Sequence, residues 1–268
     1  VSRGAKNYST PTGSGGLVAA ALAFILSPLI AFVAAVPWGG LGTVLGQEAW
    51  AALGLSAGTS ALSTGLCVLF GLPVALWLRQ VGLRRPVLAG AVNLAVLIPL
   101  VLSPVLTGLS LTLLWGRTGV VGGALDALGL PVAFSPAAVV IVQVFVSLPF
   151  FVAAVGAALR AVDREWEEAA ALDGATRSQT LRYVVIPAAA PGIITGAVLS
   201  FARALSEYGA TLTFAGNIAG KTQTIPLLVA LGLGANDMDA ALGAAVLLLG
   251  LYVLVIAVIV AIWLSRKD

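Results

Sequence analysis

Few side chains in this sequence can do chemistry, and two of them stand together. Arg203 and Glu207 lie four residues apart in the apolar run Ser200-Phe-Ala-Arg203-Ala-Leu-Ser-Glu207-Tyr208-Gly209-Ala-Thr211. On a helix that spacing puts both on one face. A lone charge near the middle of a membrane costs about 2.5–3.5 kcal/mol, and more by other measures. The two are therefore expected to pair and to cancel each other. The pair is either a structural tie between this helix and a neighbour or the polar lining of a path through the interior, and both can hold at once. Hydroxyls and amides continue beyond it at Thr211, Thr213, Asn217, Thr222, Gln223 and Thr224, as further lining or as a solvated loop. Covalent catalysis has little to work with. The sequence has no His and one Cys, Cys67, which sits in an apolar run. That excludes an internal disulfide and any metal site built from His or clustered Cys. A membrane-embedded enzyme would want such a cluster, or paired acids, near one interface.

A second polar group interrupts the apolar sequence between Asp163 and Pro191. Glu165, Glu167 and Glu168 open a helix-forming run, where carboxylates favour the positive end of the helix dipole. Asp163 is placed to cap it. Ala169, Ala170, Ala171 and Leu172 continue it, and Gly174 stops it. Thr176 and Gln179 have capping-box spacing for a second helix. Leu181, Val184 and Val185 give that helix an apolar face, and Pro187 is expected to end it. The alanines leave one face nearly bare, so another protein surface can come close to the backbone.

Apolar spans must position both groups. The 268 residues are 60% hydrophobic and 9% charged, with a mean hydropathy of +1.07. Soluble domains carry about 25% charged residues, so this is a polytopic membrane protein. Crossing a bilayer takes about 20 apolar residues. Six spans are expected, at 17–36, 55–78, 87–114, 137–159, 192–214 and 240–264. The third carries Pro99 and Pro104 and is expected to kink or bend there. Pro28 and Pro73 can do the same in the first two. Arg203 falls near the middle of the fifth span. Residues 225–233 are apolar but too short to span, and Pro226 suits a first helical turn. Residues 1–16 are rich in Ser, Thr, Gly and Pro and read as a disordered cytoplasmic tail. Residues 17–268 read as one transmembrane domain with a cytoplasmic loop at about 161–190.

Orientation follows from Lys and Arg. Of the 14, only Arg117 and Lys221 lie in the segments on one side, and Arg203 lies within a span. The other eleven, including Arg3, Arg79, Arg160, Arg164 and Arg266, share the opposite side with the Glu168 loop. This bias puts both termini and that loop in the cytoplasm. The net charge of +3 is thereby explained by topology and is no nucleic-acid signature.

The Asp163–Pro191 stretch resembles the EAA loop of ABC importer membrane subunits. That pattern is Glu-Ala-Ala, three residues, Gly, nine residues, then an apolar residue, one residue, Leu and Pro. Glu168, Ala169, Ala170, Gly174, Val184, Ile186 and Pro187 fall on it, with Val and Ile in the apolar places. The resemblance implies an all-α, six-helix, type I ABC importer permease fold. It also implies a coupling helix, with Glu168, Ala169, Ala170, Leu172, Gly174, Ile186 and Pro187 facing an ATP-hydrolysing partner. The run from Phe201 sharpens the family. Phe-Ala-Arg at 201–203, Glu207, Tyr208, Gly-Ala-Thr at 209–211, Phe-Ala-Gly-Asn at 214–217 and Thr-Gln-Thr-Ile-Pro-Leu at 222–227 closely resemble the molybdate/tungstate importer permeases. Sulfate/thiosulfate permeases share the first part and usually diverge after the Gly; they are the alternative within the family. Ser206 departs from the Gly common at its place. The resemblance runs from about Leu55 onward, and the first span is generic.

By that resemblance the chain is a transport subunit in a prokaryotic inner membrane, not an enzyme. Two copies form the pathway, with Arg203, Glu207, Tyr208, Thr211, Asn217, Gln223 and Thr224 as candidate lining. Two ATPase subunits carry ATP and Mg, and an outside protein delivers the oxyanion. ATP binding closes the ATPases, draws the coupling helices together and opens the gate outward. The sequence has no G-x-x-x-x-G-K-[ST] signature, so the ATPase is expected to be a separate chain and this one to bind no cofactor. A transporter driven by an ion gradient would need ionisable residues across several spans. Only Arg203 and Glu207 lie within a span here.

Overall fold

The structure is a computed structural model that describes residues 14–265. Among these residues it is helical, with no strand. α1 is Ser14–Ala35. A short turn at Trp38–Gly40 and α2 (Leu41–Val44) lead to the long α3 (Gln47–Gly82). α4 (Pro86–Val101) and α5 (Pro104–Trp115) form a bent pair, followed by α6 (Val120–Ala127) and α7 (Pro136–Ala161). The polar interruption holds α8 (Arg164–Leu172) and α9 (Arg177–Thr180), and a π-helical turn at Leu181–Val185 joins α9 to α10 (Ile186–Leu205). α11 (Gly209–Ala215), α12 (Ile225–Gly234) and α13 (Met238–Ser265) complete the order. Five helical runs are long and apolar enough to cross a membrane, and the bent pair makes a possible sixth.

The bend in the third span is sharp. α4 and α5 meet at 112°. Proline forces the residue before it out of the helical region, and Ser103, ahead of Pro104, is extended at φ −65, ψ 150. Its hydroxyl then caps α5 by accepting from the Leu106 N–H at 3.3 Å. Pro28, Pro73 and Pro99 are carried inside their helices. α3 exceeds its expected span. Its 36 residues make about 54 Å of helix at 1.5 Å per residue, so it projects beyond a hydrocarbon core of about 30 Å. α1 begins at Ser14, and the rest of the expected tail lies outside the described residues.

α7 is the hub, with α3 along one side and α10 along the other. Phe151 on α7 is fully buried. A Cβ on Gly71 of α3 would come within 2.5 Å of its ring, and one on Gly196 of α10 within 3.1 Å. Two glycines therefore let three helices close around one aromatic ring. Val152, Val155, Leu159, Val185 and Ala189 extend this core toward the Glu168 loop. A second core joins Leu111 of α5, Val139 and Val142 of α7 and Phe214 of α11. In α3 every buried residue is small: Ala49, Ala52, Ser56, Thr59, Ser60, Ser63, Cys67, Gly71 and Ala75. Small residues at such interfaces let helix backbones approach closely in a membrane.

The fifth span differs from the sequence reading at both ends. Pro187 does not end a helix. Arg177–Leu205 is one continuous run of 29 residues. In an α-helix the proline ring would clash with the carbonyl four residues back. The chain widens just before it, with the Ile186 N–H bonding to the Leu181 carbonyl five residues back. The run also stops at Leu205, not at 214, so Arg203 lies in its last turn and not at mid-span.

Candidate functional site

The Glu168 loop is a helix, a glycine elbow and a second helix. Asp163 caps α8, its carboxylate accepting from the Glu165 N–H at 3.1 Å. Gly174 has φ +83. The Gly174 N–H bonds to the Ala171 carbonyl at 3.1 Å and the Ala175 N–H to the Ala170 carbonyl at 3.0 Å. These two bonds form a Schellman motif, which requires the left-handed residue that glycine supplies. Thr176 and Gln179 then make the reciprocal capping box that opens α9. The outer face is bare and partly apolar. Glu168, Ala169 and Ala171 are exposed, Ala170 is half-buried, and Leu172 is 89% exposed. Ile186 is half-buried and Pro187 exposed at the start of α10.

A residue the sequence reading passed over holds this loop in place. Arg79, near the end of α3, bonds Glu167 on α8 at 2.6 Å between Nη2 and Oε1. Both side chains are partly buried. The available signal was a basic residue closing one span on the same side as an acidic residue in the loop. A cavity of about 640 Å³ lies between α3 and the loop, lined by Trp77, Arg79, Glu167, Ala171, Arg177 and Leu181 among others.

The second site is where α10 breaks into α11. Arg203 Nη2 and Glu207 Oε2 are 2.7 Å apart, with Glu207 only 3% exposed. The other carboxylate oxygen accepts from the Ala210 N–H at 3.0 Å and so caps α11. Glu207 thus ties the end of one helix to the start of the next. Tyr208, 40% exposed, sits between them at φ −132, ψ −62. α11 packs on α5. A Cβ on Gly108 would lie 2.5 Å from Thr213 Cβ, and one on Gly209 would lie 2.6 Å from Pro104 Cβ. The broken third span and the broken fifth run therefore meet closely, glycine backbone against side chain, beside the ion pair.

The remaining candidates lie inside the protomer, not in a solvated loop. Thr211, Thr222, Gln223 and Thr224 are buried, and Asn217 is half-buried. Asn217 Nδ2 donates to the Leu227 carbonyl at 3.4 Å. The Thr222 hydroxyl donates to the Gly216 carbonyl at 3.1 Å and accepts from the Ile218 N–H at 3.0 Å. The Ile225 N–H reaches Ser56 Oγ on α3 at 2.8 Å. Thr211 Oγ1, Asn217 Oδ1, Gln223 Oε1 and Thr224 Oγ1 are buried without a hydrogen-bond partner in the structure. Of the candidate lining residues, Tyr208 and Thr213 are exposed and Arg203 and Asn217 half-buried, while the others are buried. No cluster of three or more metal-ligating side chains occurs among the described residues.

Comparison with known proteins places this arrangement. The family model described as binding-protein-dependent transport system inner membrane component matches residues 67–266. The chain belongs to this family. It is 41% identical over 238 residues to the molybdenum transport system permease protein ModB of Mycobacterium tuberculosis, covering 88% of this chain and 89% of that protein. It is 40% identical over 185 residues to ModB of Escherichia coli, covering 68% and 79%. Among solved structures it is similar to a chain of the bacterial alginate ABC transporter in complex with alginate pentasaccharide-bound periplasmic protein. That match has a TM-score of 0.58 at 21% identity and covers 88% of this chain and 91% of that one. The fold is that of a type I ABC importer permease, and this family member is a multi-pass membrane transport subunit.

Proposed function

We propose that the chain is the permease subunit of an ATP-driven importer of molybdate or tungstate, coupled to separate ATPase subunits through the Glu168 loop. The observation that carries the coupling role is the exposed face of α8. Leu172 stands 89% exposed on a polar loop, next to alanines and a Schellman elbow that fixes the turn. With the exposed Ala169 and Ala171 it makes an apolar face outside the spans, of the kind that marks a protein-interaction site. The oxyanion assignment rests on the named relatives and on the motif residues from Phe201 to Leu227.

The rest of the assembly follows from the same reading. α1 buries none of residues 15–35 against its own chain, which leaves it free for lipid or for a second permease copy. Two copies bring their Arg203–Glu207 junctions to a shared path. The pair carries no net charge, so an anion passing it meets no unpaired carboxylate. The affinity for substrate then lies with a binding protein outside an inner membrane, and the path needs only weak polar contacts. ATP and Mg act on the partner subunits.

The test is uptake into proteoliposomes holding this chain, its ATPase and the matching binding protein. ATP-dependent accumulation of labelled molybdate, competed by tungstate and weakly by sulfate, is expected. Equal competition by sulfate assigns the importer to sulfate or thiosulfate. Uptake without an ATPase, driven by an ion gradient, overturns the coupling role.

A further inference from the structure

A further cavity of the protomer lies across Arg79 from the one beside the coupling loop, reaches the first residue of α8 and is remote from the Arg203–Glu207 pair. It occupies about 610 Å³ between the ends of α3, α4 and α7. Three arginines line it, Arg79, Arg160 and Arg164, with Asn93 the other long polar side chain and no acidic residue in its wall. Arg79 is already committed to Glu167. Arg160 and Arg164 are not. Among the described residues neither has an ion pair or a side-chain hydrogen bond. Of the acids around α8, Asp163 caps that helix and Glu167 holds Arg79, while Glu165 and Glu168 are exposed and make no ion pair with either arginine among the described residues. The Arg160 guanidinium folds back along α7 toward Gly156. A Cβ built there would lie 3.5 Å from Nη1, in ordinary contact. The deeper wall is apolar, with Leu78, Leu97, Val152 and Ala153. It climbs about 12 Å along α4 from Ala89 to Leu97 at 1.5 Å per residue. Beside it the outer face of α4 is exposed and apolar at Val87 and Leu94.

Two unpaired cations at the mouth and an apolar wall behind them describe an amphiphilic anion. A small free oxyanion would use the arginines and leave the wall bare. A phospholipid uses both. The cavity sits at the arginine-rich end of the spans, which the charge bias places in the cytoplasm, where anionic headgroups and basic pockets between helices meet. We propose that this cavity binds the phosphate headgroup of an anionic phospholipid, held by Arg160 and Arg164 with an acyl chain along α4 and α7.

The experiment is native mass spectrometry of the full-length chain in detergent, titrated with phosphatidylglycerol or phosphatidylcholine. Preferential phosphatidylglycerol binding is expected. Arg160→Gln with Arg164→Gln should weaken it about twenty-fivefold, at about fivefold per arginine, and leave phosphatidylcholine unchanged. The Arg160→Lys, Arg164→Lys pair should keep most of the binding, which separates lost charge from lost folding. Gly156→Leu, which fills the cavity and keeps both charges, should also lose the lipid. Equal binding of the two lipids, or binding indifferent to either the double Gln variant or Gly156→Leu, overturns the proposal. Displacement of phosphatidylglycerol by millimolar phosphate or molybdate also overturns it, and assigns the site to a free oxyanion.

Discussion

Removing Arg203 alone should do more harm than removing Arg203 and the charge of Glu207 together. Glu207 is 3% exposed, with one carboxylate oxygen 2.7 Å from the Arg203 guanidinium and the other 3.0 Å from the Ala210 N–H. Arg203→Met keeps the length of the side chain but leaves that carboxylate with a single backbone donor. Breaking a buried pair in this way costs about 3–5 kcal/mol. Arg203 is 29% exposed, so water reaches the gap and the expected loss sits near the lower end, about 3 kcal/mol. Glu207→Gln strands the more exposed partner and should lose about 1 kcal/mol. In the double variant, Gln at 207 still accepts from Ala210 and no buried charge is left without its partner. Its loss should stay at about 1 kcal/mol, where independent effects would put it at about 4 kcal/mol. The assay is thermal unfolding of the purified variants in detergent, with uptake in proteoliposomes recorded on the same preparations. Losses that add within about 0.5 kcal/mol refute the reasoning, because the two residues would then not act as a unit. If Arg203→Met unfolds like the parent and the double variant transports no better, Arg203 meets the anion directly.

Three further outcomes are expected. At Gly174 nothing lies within 4 Å of a built Cβ, so substitution is opposed by the backbone alone, by about 1–2 kcal/mol for Ala at positive φ. Ratios of uptake to ATP hydrolysis should therefore fall in the order Asn, Ala, Val, and identical ratios would remove the elbow from the coupling argument. Cysteines at Ser178 and Lys221, both exposed, should label oppositely with an impermeant reagent added to intact cells, Lys221→Cys reacting and Ser178→Cys not. Cys67 is fully buried and supplies no background; the reverse pattern inverts the topology. Gly71→Ala drives a methyl to within 2.5 Å of Phe151 and should lower unfolding stability by about 1–3 kcal/mol. Part of that should return with Phe151→Leu, and a neutral Gly71→Ala would show that α3 and α7 are not spaced at this contact.

The sequence was most legible where one residue type answers one local demand. Hydropathy located the spans because a bilayer requires runs of apolar residues whatever they pack against. Asp163, Gly174 and the Thr176–Gln179 box were readable because caps and elbows are local chemistry. Pro104 marked the bend for the same reason. The errors arose where a local rule met a non-local answer. Pro187 should end an α-helix, and it does not, because a π turn at Leu181–Val185 moves the opposing carbonyl aside. The end of α10 was read nine residues late because nothing apolar changes at Leu205. What changes is that Glu207 caps α11, and α11 turns away to meet α5. The polar residues from Thr222 to Thr224 could be read by composition as pathway lining or as a solvated loop. They are buried, and just beyond them the Ile225 N–H bonds Ser56 on α3, 169 positions earlier in the chain, a pairing that local pattern cannot show.

The correction at Pro187 changes how the two motifs relate. A helix ending there would leave the Glu168 loop hinged apart from the span that carries Arg203. The observed run from Arg177 to Leu205 is 29 residues, about 43 Å of helix at 1.5 Å per residue. One end belongs to the loop that shows its bare face to solvent, and the other carries the ion pair that joins α10 to α11. Along the way Val185 and Ala189 belong to the same core as Phe151 and Leu159, so the run is held against α7 and cannot slide freely. A displacement of α9 must therefore either carry Leu205 with it or bend the run at Pro191 inside α10 or at the π turn. Turns of this kind are where helices kink. With α11 close-packed on α5 at Gly108 and Gly209, movement of Leu205 would reach the 112° junction of the third span through the short break at residues 206–208, which Glu207 bridges. Mechanical continuity of this sort is what an importer needs if hydrolysis at one face is to act on a path tens of ångströms away.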